Sequence, residues 1–286
     1  MNDISFEEFR ELLNKRLNEE PEIGKSIEVS NRPIQKLTGN YVAISLYDAE
    51  RNVGLTANPH NLYKEFRNGR SVDRIVANMM EQMADPPDVG DMERLCDLEQ
   101  IRDHIFIRVS NAKRNEELLK TVPHQIEGEF AITYHVLMYD DGEALGNAMI
   151  TNLIMSAYGI DQKKLHEIAM KNSPGLFPAA LYELGIRGEP GNLICATNMK
   201  KINGAAVMFY PGMIETILKK FDEDFYVIPS SIHEMMLVPE RVASSVEHML
   251  ETLHDANIHF VEEGEDLSEN IYFISRSEPY LKRITD

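Results

Sequence analysis

The stretch 225–239, FYVIPSSIHEMMLVP, constrains the fold most, because two apolar runs flank a chain breaker. The apolar runs are residues 225–228 and 232–238, and Pro-Ser-Ser at 229–231 separates them. Aromatic and β-branched residues favour strands, and the fixed φ of proline suits the start of a tight turn. The pattern therefore predicts a strand, a turn at 229–231 and a second, antiparallel strand.

Helical patterns surround this hairpin and dominate the first 85 residues. Ser5 and Glu8 form a capping box, and Ser71 precedes valine, isoleucine and methionine residues that follow one helix face over 72–83. Other helices are predicted near residues 92–99, 151–158, 161–171, 178–184, 211–221 and 240–256, with a break at 172–174. Other strands are predicted at residues 42–46, 105–109, 129–138, 145–150, 193–196, 205–209 and 271–274.

These elements predict an α+β fold with a mostly antiparallel sheet, packed helices and a helical N-terminal part. The chain of 286 residues is long enough for one large domain or two ordinary ones. The proline-rich loop within 85–90 marks a candidate boundary between a helix-rich region, residues 1–85, and an α+β region, residues 91–286. One continuous domain over 1–286 is also compatible with the pattern.

The charge of the chain bears on its partners. Acidic residues outnumber basic ones by 47 to 29, for a formal net charge of −18, which disfavours binding to nucleic acid or to an anionic membrane surface. No apolar run approaches the roughly 18 residues of a membrane span, and the acidic N-terminus is unlike a signal peptide. Cys96 and Cys195 have no metal or disulfide spacing. We expect buried thiols and a cytoplasmic location.

Ser230, Ser231, His233 and Glu234 are the weak catalytic candidates, because a hydroxyl, an imidazole and a carboxylate suggest a hydrolase. The spacing argues against a local triad. Residues two apart on a strand lie about 6.6–7 Å apart, whereas an activated serine needs a hydrogen bond of roughly 2.6–3.2 Å to its base. A turn whose serines satisfy backbone groups is the favoured interpretation.

Metal and cofactor signals are weak. On the predicted helix 240–256, His248 and Glu251 are three residues apart and Glu251 and Asp255 are four apart. That spacing suits a divalent metal, although a solvated polar face is the favoured interpretation. The phosphate-binding glycine motifs are missing, and no cofactor is predicted. Asn152, Thr197 and Asn198 are the weak ligand-binding candidates. The polar turn that begins at Thr197 and Asn198 could receive an anion, but it is interpreted mainly as a hairpin turn, with a positive φ supplied at residues 203–204.

Short motifs also occur in a characteristic order. They are N-E-E-L-L-K at 115–120, I-T-N at 150–152, T-N at 197–198 and, above all, P-S-S-I-H-E at 229–234. In these motifs the chain resembles an uncharacterised family of cytoplasmic proteins from gut anaerobic bacteria, known only as a domain of unknown function. The resemblance extends from the first helix to about Pro239 and brings no activity, substrate or cofactor. It implies that Asn152, Thr197, Asn198 and the 229–234 turn share one feature.

The leading hypothesis is a non-enzymatic cytoplasmic protein that binds a protein partner or a small ligand, because no catalytic constellation has usable spacing. The alternative is a hydrolase or other small-molecule enzyme, in which His233 acts with Ser230 or Ser231 and with Asn152 and Asn198. The position of His233 is the discriminating observation. An open cleft shared with Asn152 and Asn198 would favour an enzyme or a ligand-binding protein. A packed ring whose nitrogens bond the backbone would count against both.

Overall fold

Helix α1 (Phe6–Leu17) begins at the predicted capping box. The hydroxyl of Ser5 accepts a hydrogen bond from the backbone N–H of Glu8 at 3.3 Å, and the Glu8 carboxylate accepts one from the backbone N–H of Ser5 at 2.8 Å. Two N–H groups that have no partner within the helix are thereby satisfied. The local sequence alone accounts for this helix start.

The computed structural model describes most of the chain. The chain divides into unit 1, residues 1–36 and 40–88, and unit 2, residues 37–39 and 89–286. The predicted boundary at 85–90 falls largely on residues 86–90, which lie outside the described residues, and it stays a prediction. The described residues are 4–36, 39–48, 50, 53–85, 92–140, 145–186, 189–261 and 264–284.

Unit 1 pairs helices with a small sheet. Its helices are α1, α2 (Pro59–Arg67) and α3 (Val72–Ala84), and its strands are β1 (Ile27–Lys36), β2 (Gly39–Asp48) and β3 (Val53–Ala57), in the sheet order β1-β2-β3. The sequence predicted only a strand at 42–46. The sequence did not indicate strand β1, because its residues do not alternate clearly between polar and apolar.

The core of unit 1 forms where the apolar faces of its helices meet β2. Val72, Ile75, Val76, Met79 and Met83 of α3 are buried, as the helical spacing predicted. They share one cluster with the buried face of α1, which consists of Phe9, Leu13 and Leu17, and with Ile44 and Leu46 of β2. The methionine stripe is therefore core packing.

Unit 2 contains the remaining described elements. Its helices are α4 (Met92–Leu95), α5 (Leu98–Ile101), α6 (Glu116–Leu119), α7 (Asn152–Ala157), α8 (Gln162–Leu176), α9 (Met213–Phe221) and α10 (Val246–His259). Its strands are β4 (Ile105–Asn111), β5 (His124–Glu127), β6 (Phe130–Asp140), β7 (Leu145–Met149), β8 (Ala179–Ile186), β9 (Glu189–Asn198), β10 (Phe225–Ser231), β11 (Glu234–Pro239), β12 (Tyr272–Ile274) and β13 (Lys282–Arg283).

The strands of unit 2 form two sheets. One has the order β13-β12-β10-β11-β9-β8, and in the other β6 pairs with β4, β5 and β7. Every pairing described in unit 2 is antiparallel. The predicted α+β class is confirmed. In the described part of the chain, no helix is both long and apolar enough to cross a membrane.

Both sheets of unit 2 contribute to one hydrophobic core. Phe130 and Tyr134 of β6 pack in the same cluster as Phe225 and Val227 of β10 and Tyr272 of β12. A 3₁₀ segment, Gly204–Phe209, also enters this cluster. The sequence predicted a strand at 205–209, and that prediction is wrong, because a short buried apolar run has no periodicity that separates a strand from a buried turn.

The predicted helix at 178–184 is also wrong, since these residues belong largely to β8. Alanine, leucine and glutamate favour helices in isolation, but pairing decides the outcome here. Strand β8 pairs along β9, from Ala179 opposite Asn198 to Leu184 opposite Leu193. The partner strand is distant in sequence, so a local pattern could not reveal it.

The predicted break at 172–174 is wrong as well, because α8 continues through Pro174 to Leu176. The neighbouring side chains hold the helix against β4. The Ser173 hydroxyl accepts a hydrogen bond from the backbone N–H of Ile107 at 3.0 Å, and the Asn172 amide donates to the carbonyl of Ile105 at 3.2 Å. Packing therefore overrides the lost N–H of proline near the helix end.

The hairpin at 225–239 exists, but its turn lies later than predicted. Strand β10 runs through Pro229 to Ser231, with a register shift between Ile228 and Ser231, and Ser231 pairs with Glu234. Proline is tolerated at such an irregularity because it cannot donate to a regular ladder. The turn therefore comprises Ile232 and His233. Cys195 is buried as expected, whereas Cys96 is exposed, which corrects that prediction.

A glycine beside this turn gives a test of the packing. A Cβ atom on Gly204 would lie 2.1 Å from the Thr197 hydroxyl oxygen, 2.5 Å from the His233 carbonyl oxygen and 2.7 Å from the Asn198 backbone nitrogen. We expect Gly204→Ala to lower the free energy of unfolding by about 1–3 kcal/mol, measured by urea denaturation, because two of these atoms are backbone.

The matched control for this prediction is Gly175→Ala in α8, where a Cβ atom meets nothing within 4 Å. We expect this variant to leave stability unchanged or to raise it by up to about 1 kcal/mol, because alanine favours helix more than glycine does. Equal stability of the two variants would contradict the described packing at Gly204.

Candidate functional site

The ring of His233 is hydrogen-bonded on both sides. Its Nδ1 accepts from the backbone N–H of Asn203 at 3.1 Å, and its Nε2 lies 3.2 Å from Oε2 of Glu265. A nitrogen that accepts carries no proton in the neutral ring, so the proton belongs on Nε2, which donates to Glu265. The main chain therefore fixes the tautomer.

Asn203 extends this arrangement to β4. Its φ of 53° lies in the left-handed region, which asparagine tolerates better than most residues and which agrees with the positive φ predicted in this turn. Its side-chain oxygen accepts a hydrogen bond from Nη2 of Arg108 at 2.6 Å. Burial lowers the pKa of Arg108 to about 10, and the charge of Glu265 acts in the opposite direction. We call Arg108, Asn203, His233 and Glu265 the His233 network.

The other catalytic candidates make different contacts. The Ser231 hydroxyl accepts from the backbone N–H of His233 at 3.2 Å, and Oε2 of Glu234 lies 3.3 Å from Sγ of Cys195. Among the residues that the structure describes, no hydrogen bond joins the His233 ring to the hydroxyl of Ser230 or Ser231. Ser231 therefore caps the turn through its backbone contact and is not aligned with the imidazole.

Thr197 and Asn198 lie beside the His233 turn, and both are buried. The Thr197 hydroxyl donates to the carbonyl of His233 at 2.7 Å. The Asn198 amide donates to the Ile202 carbonyl at 2.8 Å, and its oxygen accepts from the Lys200 backbone N–H at 3.0 Å. The small cavity that Asn198 helps to line has a volume of only about 10 Å³. That space suits about one water molecule and no substrate.

Asn152 makes its described contacts elsewhere. Its amide donates to the carbonyl of Lys120 at 3.2 Å, and its backbone N–H donates to the carbonyl of Thr121 at 3.0 Å. These bonds join the start of α7 to the chain that follows α6. A ligand-binding role for Asn152, Thr197 and Asn198 stays a prediction.

The candidate metal ligands lie on the exposed face of α10. Nδ1 of His248 is 3.8 Å from Glu251, and Asp255 is 3.6 Å from Nε2 of His259. Within the described ranges, no group of three or more histidine, cysteine, aspartate or glutamate side chains could hold a metal ion. The helical spacing therefore produces separate, exposed pairs at this face.

A larger cavity of unit 2 lies away from the His233 turn. Its volume is about 330 Å³, within the usual range of small-molecule sites, which starts near 300 Å³. Residues from β5, β6, α8, the 3₁₀ segment, α9 and the C-terminal strands form its wall. We call it the His166 cavity, and its apolar wall includes Met170, Met208, Phe209, Tyr210, Tyr272 and Tyr280.

His166, on α8, is a polar group in this wall. Its Nδ1 lies 3.1 Å from the hydroxyl of Tyr134, which is fully buried. Within the described residues this hydroxyl has no other acceptor, so it donates to Nδ1 and leaves the ring proton on Nε2. Burial lowers the pKa of His166, and the charges of Glu127 and Glu167 act in the opposite direction. His166 is therefore a neutral hydrogen-bond donor at pH 7.

Tyr272 also lines the cavity, and its hydroxyl is hydrogen-bonded to a residue outside the wall. The hydroxyl donates to Glu129 at 2.7 Å, and the same carboxylate accepts from Ser268 at 2.7 Å and from Asn270 at 2.9 Å. Burial raises the pKa of Glu129, but these three hydrogen bonds and the charge of Arg283 outweigh it and lower the pKa below its ordinary value. Glu129 thus fixes the C-terminal chain against β6.

The sequence interpretation missed the His166 cavity. A signal was available on α8, where His166 and Met170 are four residues apart and share a face. Glu127, Phe209 and Tyr280 come from distant segments, and nothing in their local patterns indicates that they meet. The P-S-S-I-H-E motif indicated the turn at 229–234 as the candidate site instead.

The chain belongs to a family of unknown function, DUF5688, which matches residues 6–276. This finding confirms the predicted resemblance to an uncharacterised family. No curated protein gives a significant match to the chain, and no solved structure does so either.

The His233 network predicts a stability effect. His233→Ala leaves the Asn203 N–H and the Glu265 carboxylate without their ring partner, so we expect the free energy of unfolding to fall by about 1–3 kcal/mol in urea denaturation. His248→Ala is the control, because its side chain is 69% exposed, and we expect a change within about 0.5 kcal/mol. Similar small effects for both variants would contradict the network.

Glu129 predicts a pH effect. Because its pKa is lower in the folded protein than its ordinary value of 4.5, the ionised carboxylate stabilises the fold above that pH. This contribution is lost as the pH falls through the folded pKa. We expect the wild type to be more stable than Glu129→Gln at pH 7, with a difference that shrinks below about pH 4.5. Urea denaturation at a series of pH values measures it, and a constant difference would contradict the prediction.

Proposed function

We propose that this chain is a non-enzymatic cytoplasmic protein that binds a small ligand in the His166 cavity. The observation that carries the proposal is the cavity of about 330 Å³, whose wall includes aromatic and aliphatic side chains. Ligand sites usually combine such a wall with a small number of placed polar groups, which fix the orientation of the ligand.

The hydrogen bonds around the cavity support this role. Tyr134 orients the ring of His166, and Glu129 orients Tyr272, so two wall residues are held by partners outside the wall. A wall held in this way loses little side-chain freedom when a ligand binds, which favours affinity. The acidic surface, with a formal net charge of −18, supports the further proposal that nucleic acid is not the partner.

The hydrolase alternative receives less support. A general base needs a ring nitrogen free to accept a proton from the nucleophile, whereas Nδ1 of His233 already accepts from the backbone and Nε2 faces Glu265. We therefore assign His233 a structural role.

Blocking the cavity tests the proposal. The probe is N-phenyl-1-naphthylamine, an uncharged fluorophore that brightens in apolar surroundings. Ile214 lines the cavity at the start of α9, so Ile214→Trp introduces a larger ring there. We expect saturable binding to the wild type and a loss of about tenfold or more in affinity for the variant, because the added ring occupies the space of the probe.

The matched control is Ile258→Trp on α10, where the side chain is 74% exposed and is not part of the cavity wall. This variant should bind the probe as the wild type does. Equal affinity for all three proteins, or no saturable binding to the wild type, would contradict the proposal.

A further inference from the structure

Two carboxylates at the His166 cavity are available for a ligand. Glu127, at the end of β5, and Glu215, in the first turn of α9, both belong to its wall and are exposed. Neither carboxylate has an ion pair or a hydrogen bond among the described residues. By contrast, Lys164 on α8 pairs with Glu167 at 3.0 Å outside the wall. Among the described residues, no partner neutralises the two wall carboxylates.

No positive charge in the wall balances them. The wall contains no lysine or arginine, and its histidine, His166, is neutral because burial lowers its pKa. The formal net charge of −18 adds a negative potential over the whole protein. An anionic ligand would therefore be repelled, and a cation would be attracted.

The aromatic wall suits the same kind of ligand. Tyr210 and Tyr272 line the cavity, and their hydroxyls donate to the Phe177 carbonyl and to Glu129, so these hydroxyls are already hydrogen-bonded within the protein. Phe209 and the half-exposed Tyr280 add two more rings. Aromatic faces attract organic cations, and they also bury the apolar body of a ligand.

We infer that the ligand is a small organic cation, with an ammonium group at the wall carboxylates Glu127 and Glu215 and an apolar body against the aromatic and aliphatic side chains of the wall. This inference rests on the proposed function and names its ligand class. Nε2–H of His166 adds a donor for one acceptor group on the ligand.

Three probes that share a phenylethyl body and differ in charge test the ligand class. They are 2-phenylethylammonium, the uncharged 2-phenylethanol and the anionic 3-phenylpropanoate, and their dissociation constants are measured by NMR titration at pH 7 and low salt. We expect the cation to bind about tenfold more tightly than the alcohol and the anion to bind more weakly than the alcohol. Added salt should reduce the preference for the cation.

Variants of the two wall carboxylates test whether these groups cause the preference for the cation over the alcohol. Glu127→Gln and Glu215→Gln should each weaken cation binding about two- to fivefold, and the double variant should remove most of the preference, with alcohol binding unchanged. The control is Glu251→Gln, which removes the same charge from the exposed face of α10. This control should bind the cation as the wild type does.

The outcomes separate the ligand class from the cavity itself. Equal binding of cation and alcohol, or a preference that survives in the Glu127 and Glu215 double variant, would overturn the cationic class. The cavity proposal would stand in that case if Ile214→Trp still blocks N-phenyl-1-naphthylamine. If Ile214→Trp leaves the affinity for N-phenyl-1-naphthylamine unchanged, the cavity proposal fails, and the cationic ligand class, which rests on it, fails as well.

Discussion

The backbone N–H of Asn203, donated to Nδ1 of His233, is the interaction on which the centre of unit 2 depends. It requires a neutral ring with its proton on Nε2, and that proton then meets Glu265. Through Asn203 the same arrangement reaches Arg108 on β4. One imidazole thus connects the β10–β11 hairpin, the end of β9, the C-terminal chain and the second sheet. If Nδ1 were protonated, it would become a donor that faces the N–H of Asn203, which is also a donor, and this hydrogen bond would be lost.

In unit 2 the polar residues of the His233 turn and the residues that we propose for ligand binding lie in two different places. The polar residues that look catalytic in sequence are hydrogen-bonded to the main chain or to other side chains, as His233 is to the Asn203 N–H and to Glu265. The residues suited to a ligand lie instead around the His166 cavity, where Glu127 and Glu215 are unpaired within the described part of the chain. Hydrogen-bonded polar networks favour a single conformation, whereas polar groups without a partner at an open cavity are available for recognition.

The sequence predicted the features that depend on residues close together in the chain. Ser5 with Glu8 and Ser71 identified two helix starts, and the antiparallel hairpin at 225–239 was placed correctly apart from its turn. Predictions failed where distant residues decide, as in β8, which favours helix locally and is held by β9. The His166 cavity could not be predicted for the same reason. Its wall joins segments from Glu127 to Leu281, and no local pattern records that they meet.

The most direct test of this account is the long-range ¹H–¹⁵N correlation spectrum of the histidine rings, recorded at pH 7 with and without 2-phenylethylammonium or 2-phenylethanol. His166→Gln and His233→Gln assign the two signals. We expect the His233 ring to be the Nε2–H tautomer, with signals that do not shift with either probe. The ring signals of His166 should shift with at least one of the two probes. A ligand-dependent shift of His233 with no change at His166 would contradict it and return the function to the P-S-S-I-H-E turn.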